Sequence, residues 1–269
     1  MKLSNSKTRI NKLLKEFLKK NELLRDTYFL IKGMMQFFKF KPLLMMNQYM
    51  WFLKQFKNFK NMKNNKNFNK LEWYPCLFDN ISHTPLEPTY FFQDSWAAKH
   101  IFELKPKHHY DVGSSAKTMG ILSQFMPITM IDIRPLELEL ENLFFKEGSI
   151  LDLPFEDNSL ETISSLCVVE HIGLGRYGDP LDAFGSEKAI KELKRVLKVD
   201  GVILFSVPVD NENKIYFNAH RAFTREYILE LFSDFEVVDE KYHYGTKMYN
   251  AYDVSKGFGT GLYMLKKEK

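Results

Sequence analysis

The run Leu151–Asp182, LDLPFEDNSLETISSLCVVEHIGLGRYGDPLD, constrains the fold of this 269-residue chain more than any other segment. Pro154, Asp157, Asn158 and Ser159 are turn residues. They precede a mostly apolar run from Leu160 to Val169, with β-branched Thr162, Ile163, Val168 and Val169. Such a run predicts a strand buried on both faces, the kind that parallel sheets contain. The strand is expected to end at Glu170-His171, where Gly173, Gly175 and Gly178 begin to alternate with Arg176, Tyr177 and Asp179. Open α/β sheets bind ligands beyond the carboxyl ends of their strands. An acid, an imidazole, a guanidinium and a phenol at that point are therefore placed to touch a ligand. The plainer alternative is a surface loop whose charges pair among themselves; packing alone does not require so much mixed chemistry beside an apolar strand.

From residue 71 onward strands and helices alternate. Strands are expected at His108–Val112, Ile128–Ile133, Leu143–Lys146, Thr162–Val169, Val202–Val207, Glu236–Lys241 and Gly261–Leu265. Helices are expected at Asp94–Phe102, Thr118–Phe125, Ser186–Leu197 and Thr224–Phe232. In the third of these, Ala189, Leu193, Val196 and Leu197 form an inner stripe and Lys188, Lys191, Lys194 and Lys198 lie outside, with Gly201 as its stop signal. This alternation predicts an α/β fold, a mostly parallel sheet with helices on both faces and an antiparallel, hairpin-like edge from the last two strands.

Charge separates the first 70 residues from the rest. Residues 1–70 carry 17 Lys/Arg against 3 Asp/Glu, whereas residues 71–269 carry 21 against 31. Ile10, Leu13, Leu14, Phe17 and Leu18 fall on one helical stripe among lysines, and a second helix is expected from Pro42, carrying Trp51, Phe52, Phe56 and Phe59. An Asn/Lys-rich linker, Asn61–Lys70, follows. Residues 1–70 thus form a basic amphipathic extension. It suits an anionic membrane surface or a partner protein; equally, it suits a helical cap with solvated lysines. No signal peptide is expected, because the first 25 residues never go long without a charge. Cys76 and Cys167, the only cysteines, have neither disulfide nor metal spacing, which predicts a cytoplasmic setting, peripheral at the inner membrane face if the extension binds lipid. Nucleic acid is disfavoured as a partner because the acidic body repels phosphates.

Two further segments point to a nucleoside cofactor. Asp111-Val112-Gly113-Ser114-Ser115 ends a strand in a tight turn before a helix, where Gly113 permits close backbone approach and the helix N-terminus offers free N–H groups. Asp132 ends the next strand, 19 residues after Gly113, where an acid can accept from a ribose diol. No Walker-type G-x-x-x-x-G-K-[ST] and no convincing Tyr-x-x-x-Lys pair is present, so nucleotide hydrolysis and short-chain dehydrogenase chemistry are not expected.

The order of glycine turn, strand-two acid, GSILDLPFEDNS and KELKRVLKVDG resembles class I S-adenosylmethionine-dependent methyltransferases. The resemblance implies a Rossmann-like sheet and S-adenosyl-L-methionine as cofactor. It places Asp111, Gly113 and Ser114 by the methionine moiety, Asp132 on the ribose hydroxyls, and Ser149 and Ile150 beside the adenine. Ser149 stands where the superfamily often has Asp, and the turn lacks a second glycine. TYFFQDSWAA, DVGSS, IDIRPLE, EHIGLGRYGDPLD, KAIKELKRVL and FNAHRAFT are together similar to a methyltransferase-like domain-of-unknown-function family, over roughly Asn80 to Leu265. That family leaves the acceptor and even activity open.

Within this frame the acceptor side falls to Glu170, His171, Arg176, Tyr177, Asp179, Asn218, His220 and Arg221. A hydroxyl acceptor must lose its proton, and a neutral histidine titrating near pH 6–7 suits that. His171 is the first choice as base and His220 the second, with Glu170 beside them; a structural histidine linking loops is the alternative for either one. Arg176, Tyr177, Asp179, Asn218 and Arg221 are expected to bind substrate. Related enzymes that hold a metal with Glu-His have a glutamate one turn earlier; Cys167 takes that position here, and no metal is expected. The expected function is O-methylation of a small-molecule acceptor, a sugar or surface-glycan precursor. The alternative is a catalytically silent methyltransferase-like fold acting as a binding or membrane-associated module.

Overall fold

The computed structural model describes Thr27, Ile31, residues 42–62, Asn67 and residues 70–268. The amphipathic stripe Ile10–Leu18 lies outside these residues, as does part of the Asn/Lys linker. The chain divides into two compact units, Met1–Thr84 and Pro85–Lys269. In the first unit, helix α1 (Pro42–Lys60) begins at the proline suited to a first turn and ends with Lys57 and Lys60, which complement the helix dipole. Phe52 and Phe56 pack against Trp73, with ring centroids 5.7 and 5.2 Å away. No helix among the described residues is long and apolar enough to cross a membrane.

The second unit is an α/β fold with a mostly parallel sheet and an antiparallel edge. In chain order it comprises α2 (Pro88–Leu104), β1 (His109–Val112), α3 (Ala116–Leu122), β2 (Ile128–Asp132), β3 (Leu143–Glu147), β4 (Leu160–Leu166), α4 (Gly185–Val196) and β5 (Leu197–Val209). There follow β6 (Lys214–Tyr216), β7 (His220–Ala222), α5 (Arg225–Leu231), β8 (Phe235–Tyr244), β9 (Lys247–Tyr249) and β10 (Gly259–Lys267). The main sheet runs β3-β2-β1-β4-β5-β10-β8-β9. Strands β1 to β5 pair in parallel, and β10 pairs antiparallel with both β5 and β8. The order reverses between β1 and β4, which opens a crevice beyond their carboxyl ends.

Strand alternation divides the core between the two faces. Ile131, Ile163, Phe205 and Tyr263 face α4 and α5, where Ala189, Leu193, Ile228 and Phe232 meet them. Their neighbours Met130, Leu204 and Leu262 face α2 and α3, against Trp96, Ala97, Ile101 and Met119. Burying both faces explains why these strands read as continuous apolar runs.

Several expected boundaries are corrected. The strand expected to reach Val169 stops at Leu166. Cys167 turns the chain with φ 55°, its N–H held by the Ser206 carbonyl at 2.9 Å, and Val169–His171 form a single 3-10 turn. β-Branching at Val168 and Val169 misled here, because tertiary hydrogen bonds override propensity. Helix α2 starts before Asp94, at Pro88, with Glu87 as its cap through Tyr90 N–H. Helix α4 ends at Val196 without a glycine stop, and Gly201 lies inside β5. The β8–β10 connection is not a short hairpin loop; it carries β9 and a 3-10 turn at Val254–Lys256.

Candidate functional site

A cleft of about 350 Å³ opens beyond the carboxyl ends of β1, β2 and β4. One wall holds Gly113, Asp132, Arg134, Ser149 and Ile150; the facing wall holds Cys167, Val168, His171, Tyr177 and Asp179. Ile131, Ile133 and Leu151 give it an apolar floor and rim.

The β1 turn explains part of this shape. Gly113 has φ +69°, and a side chain there would meet Val168 Cγ1 at 3.1 Å and approach Asp132 Oδ2 at 3.9 Å, so the open space depends on glycine. Asp111 and Ser114 lie behind the turn rather than on the wall. Asp111 is fully buried; its Oδ2 accepts from Ser114 N–H at 3.1 Å and its Oδ1 from Ser164 Oγ at 2.5 Å. Ser114 Oγ accepts from Leu166 N–H at 3.0 Å and ties the turn to β4. The chain continues through His109, whose Nε2 is 3.0 Å from Ser164 Oγ and whose Nδ1 is 3.0 Å from Thr162 Oγ1. Because Ser164 gives its proton to the carboxylate, His109 Nε2–H must donate to Ser164, and Thr162 donates to Nδ1. Burial pushes the His109 pKa down to about 3, with His108 adding to the effect, so the ring is neutral. Burial lifts Asp111 to about 6 against the hydrogen bonds from Ser114 and Ser164.

At the end of β2, Asp132 is held by the residue two places on. Its Oδ1 accepts from Arg134 N–H at 2.8 Å and Nε at 3.2 Å, and its Oδ2 from Nη2 at 3.2 Å. The opposite side of Oδ2 faces the cleft turn at Gly113. Arg134 then stacks over Tyr177, with 5.0 Å from guanidinium carbon to ring centroid. Arg134 stands in the quoted IDIRPLE motif without a role assigned from sequence; its spacing after a strand-end acid was the available signal.

Glu170 and His171 sit side by side with opposite protonation preferences. Glu170 is 1% exposed, its Oε2 has no hydrogen-bond partner, and burial raises its pKa to about 8. His171 Nδ1–H donates to the Ala219 carbonyl at 2.6 Å, which leaves Nε2 as the basic nitrogen, 3.6 Å from Glu170 Oε1. Burial lowers His171 to about 4, not the pH 6–7 expected from sequence. The ring is therefore neutral across the physiological range. His220 lies outside the cleft lining, between Tyr216 and Phe258 at 5.0 and 5.4 Å. It adjoins Ala219, whose carbonyl Arg176 Nη1 also binds, at 3.0 Å.

The loop between His171 and Asp182 is locked from within. Asp179 Oδ2 accepts from Gly173 N–H at 2.6 Å and its Oδ1 from Tyr177 N–H at 3.2 Å. Burial tends to raise the Asp179 pKa, but these backbone donors outweigh it and hold it below the usual range. Arg221 does not reach the cleft as a substrate contact. It is 5% exposed and donates to the carbonyls of Ile172 at 2.6 Å and Asp182 at 2.9 Å and to Ser186 Oγ at 3.1 Å. It clamps the loop to β7. Asn218, in a left-handed turn at φ 64°, donates to the Leu174 carbonyl at 3.4 Å.

Residues 153–256 match the model of a family described as "Caenorhabditis protein of unknown function, DUF268". None of the curated proteins matches the chain. Among solved structures, the chain is similar to a candidate sarcosine dimethylglycine methyltransferase from Galdieria sulphuraria, with 15% identity and a TM-score of 0.50 over 66% of this chain and 86% of that one. It is also similar to 1,6-didemethyltoxoflavin-N1-methyltransferase from Burkholderia thailandensis, solved with S-adenosylhomocysteine, at 14% identity and a TM-score of 0.46 over 70% and 94% of the two chains. The first likeness establishes the methyltransferase fold.

Proposed function

We propose that the chain is an S-adenosylmethionine-dependent O-methyltransferase acting on a sugar or surface-glycan precursor. The observation that carries this reading is that the Gly113 turn, Asp132 and His171 share one cleft at the switch point of the sheet. The residues fit the cofactor. The absent Cβ of Gly113 leaves a cradle, Asp132 offers a carboxylate beside it, and Ile131, Ile133, Ile150 and Leu151 suit an adenine.

Bound there, S-adenosylmethionine supplies an electrophilic methyl group on a positively charged sulfur. Asp132 would accept from the ribose hydroxyls beside the hydrogen bonds it takes from Arg134. Gly113 would admit the amino-acid portion, with Tyr177 lining the other side of the cleft. His171 Nε2 would take the acceptor hydroxyl's proton as the oxygen bonds to the methyl group and the methyl–sulfur bond breaks, and ionised Glu170, 3.6 Å away, would stabilise the imidazolium so formed. The rings of Tyr216 and Phe258, packed against His220, which follows the Ala219 carbonyl that orients His171, offer flat faces for a sugar ring.

Incubating the protein with isotopically labelled S-adenosylmethionine and a panel of hexose acceptors tests the proposal. Label is expected in a methylated sugar, with turnover about 10²–10⁴-fold lower for His171→Asn. Transfer to nitrogen acceptors alone would overturn the O-methylation assignment.

A further inference from the structure

Helix α1 carries charge of one sign only. Residues 42–70 hold six lysines and no aspartate or glutamate. Lys54, Lys57 and Lys60 form no ion pair among the described residues. The helix is also one-sided. Met46, Met50, Leu53, Lys57 and Lys60 fall at i, i+4, i+7, i+11 and i+14, which puts them on a single face. Gln48, Gln55 and Asn58 fall on the opposite side.

The methionine end of this face is uncovered: Met46 is 57% exposed and Met50 60%. Trp73 packs on Phe52 and Phe56 yet keeps 52% of its surface exposed, and Tyr74 beside it keeps 86%. Exposed apolar surface rimmed by polar groups marks an interaction site. Three features say which kind. Every charge on the helix is positive, so the complementary surface is anionic. Lys57 and Lys60 continue the methionine strip, and lysine stems lie along apolar matter while their ammonium heads stay in the polar layer. Tryptophan and tyrosine rings, apolar with a polar tip, settle at the level of lipid headgroups. We propose that α1 lies flat on an anionic lipid surface, with Met46, Met50 and Leu53 at the boundary between headgroups and acyl chains and Lys54, Lys57 and Lys60 meeting the lipid phosphates. The helix lies on the bilayer rather than through it, since no helix among the described residues is long and apolar enough to cross. A second copy on this face would set lysine against lysine.

The test is co-sedimentation of the full chain with two kinds of vesicle, phosphatidylcholine alone and phosphatidylcholine mixed equally with phosphatidylglycerol. The chain is expected to partition onto the mixed vesicles at least about tenfold more strongly than onto the neutral ones, and to lose that advantage at high salt. Met50→Glu, at an exposed position where folding tolerates it, should weaken partitioning onto the mixed vesicles about tenfold or more. Lys54→Gln/Lys57→Gln/Lys60→Gln should do the same while leaving any weak binding to neutral vesicles in place. Equal partitioning onto both vesicles, or none onto either, would overturn the proposal. Binding that survives both variants would put the lipid contact outside this helix and overturn it too. So would a concentration-dependent dimer that Met50→Glu dissociates, since a second copy would then cover the face. The readout needs no methyl transfer and no cofactor, so its outcome is independent of the proposed enzymatic function.

Discussion

Arg134 grips Asp132 and places its guanidinium carbon 5.0 Å from the centroid of the Tyr177 ring. Arg176 stands 5.2 Å from the same ring, and His171 meets its edge at 5.8 Å. The aromatic ring thus joins the strand-end acid on one wall of the cleft to the histidine on the other. Cation–π pairs at exposed sites contribute about 0.5–1 kcal/mol each, enough to favour this ring position without fixing it.

Tyr177→Ala should therefore quicken cofactor dissociation about tenfold and raise acceptor KM, whereas Tyr177→Phe should behave as wild type because the ring face, not the hydroxyl, makes these contacts. Stopped-flow displacement of S-adenosylhomocysteine checks this. Equal rates for all three proteins would show that the ring does not retain the cofactor.

The Glu170–His171 pair predicts an unusual pH profile. His171, lowered to about 4, stays neutral through the range where an ordinary histidine titrates. Glu170, raised to about 8, must lose its proton before its carboxylate can stabilise a protonated His171. The profile of kcat/KM should accordingly rise through about pH 8 with no step at 6–7. Glu170→Gln should remove the rise and lower turnover about 10–100-fold. A limb at 6–7 that survives Glu170→Gln would assign the titration to another group.

Stability should follow the same burial. The folded pKa of Glu170 lies above its unfolded value of about 4.3. Its contribution is thus fully present below pH 4 and is lost as pH rises through about 8. His171 has the opposite sign: its folded pKa lies below about 6.5, so stability is lost as pH falls toward 4. Urea midpoints measured from pH 5 to 9 should decline on the alkaline side, and Glu170→Gln should flatten that decline.

Arg221→Met should destabilise the protein by about 1–3 kcal/mol, since it leaves the half-buried Ile172 and Asp182 carbonyls without their donor. Calorimetric unfolding gives the cost. A change under about 0.5 kcal/mol would mean that the loop is held by Asp179 and its backbone donors alone.

The sheet was legible because strands buried on both faces leave long apolar runs, and helix α4 because its lysines and its apolar stripe of Ala189, Leu193 and Val196 keep strict period. The β4 ending was not: Val168 and Val169 look like strand residues, and only the distant Ser206 carbonyl and the left-handed Cys167 reveal the turn. The β6–β7 hairpin was hidden for a related reason, since each strand is three residues long and pairs only with the other. Gly113, Asp132 and His171 could be placed near one another from their positions at strand ends. Arg221 looked like a ligand contact because a charged residue beside a histidine in sequence gives no sign of its own burial. The paired preferences of Glu170 and His171 arise wholly from packing that no local motif encodes.

Isothermal calorimetry with S-adenosylhomocysteine tests the central claim most directly. The full chain should bind one equivalent in the micromolar range, roughly −7 to −8 kcal/mol. Asp132→Ala should weaken binding by about 1–3 kcal/mol through loss of charge-assisted hydrogen bonds. An absence of heat at millimolar ligand, or undiminished binding by Asp132→Ala, would contradict the assignment of this cleft to the cofactor.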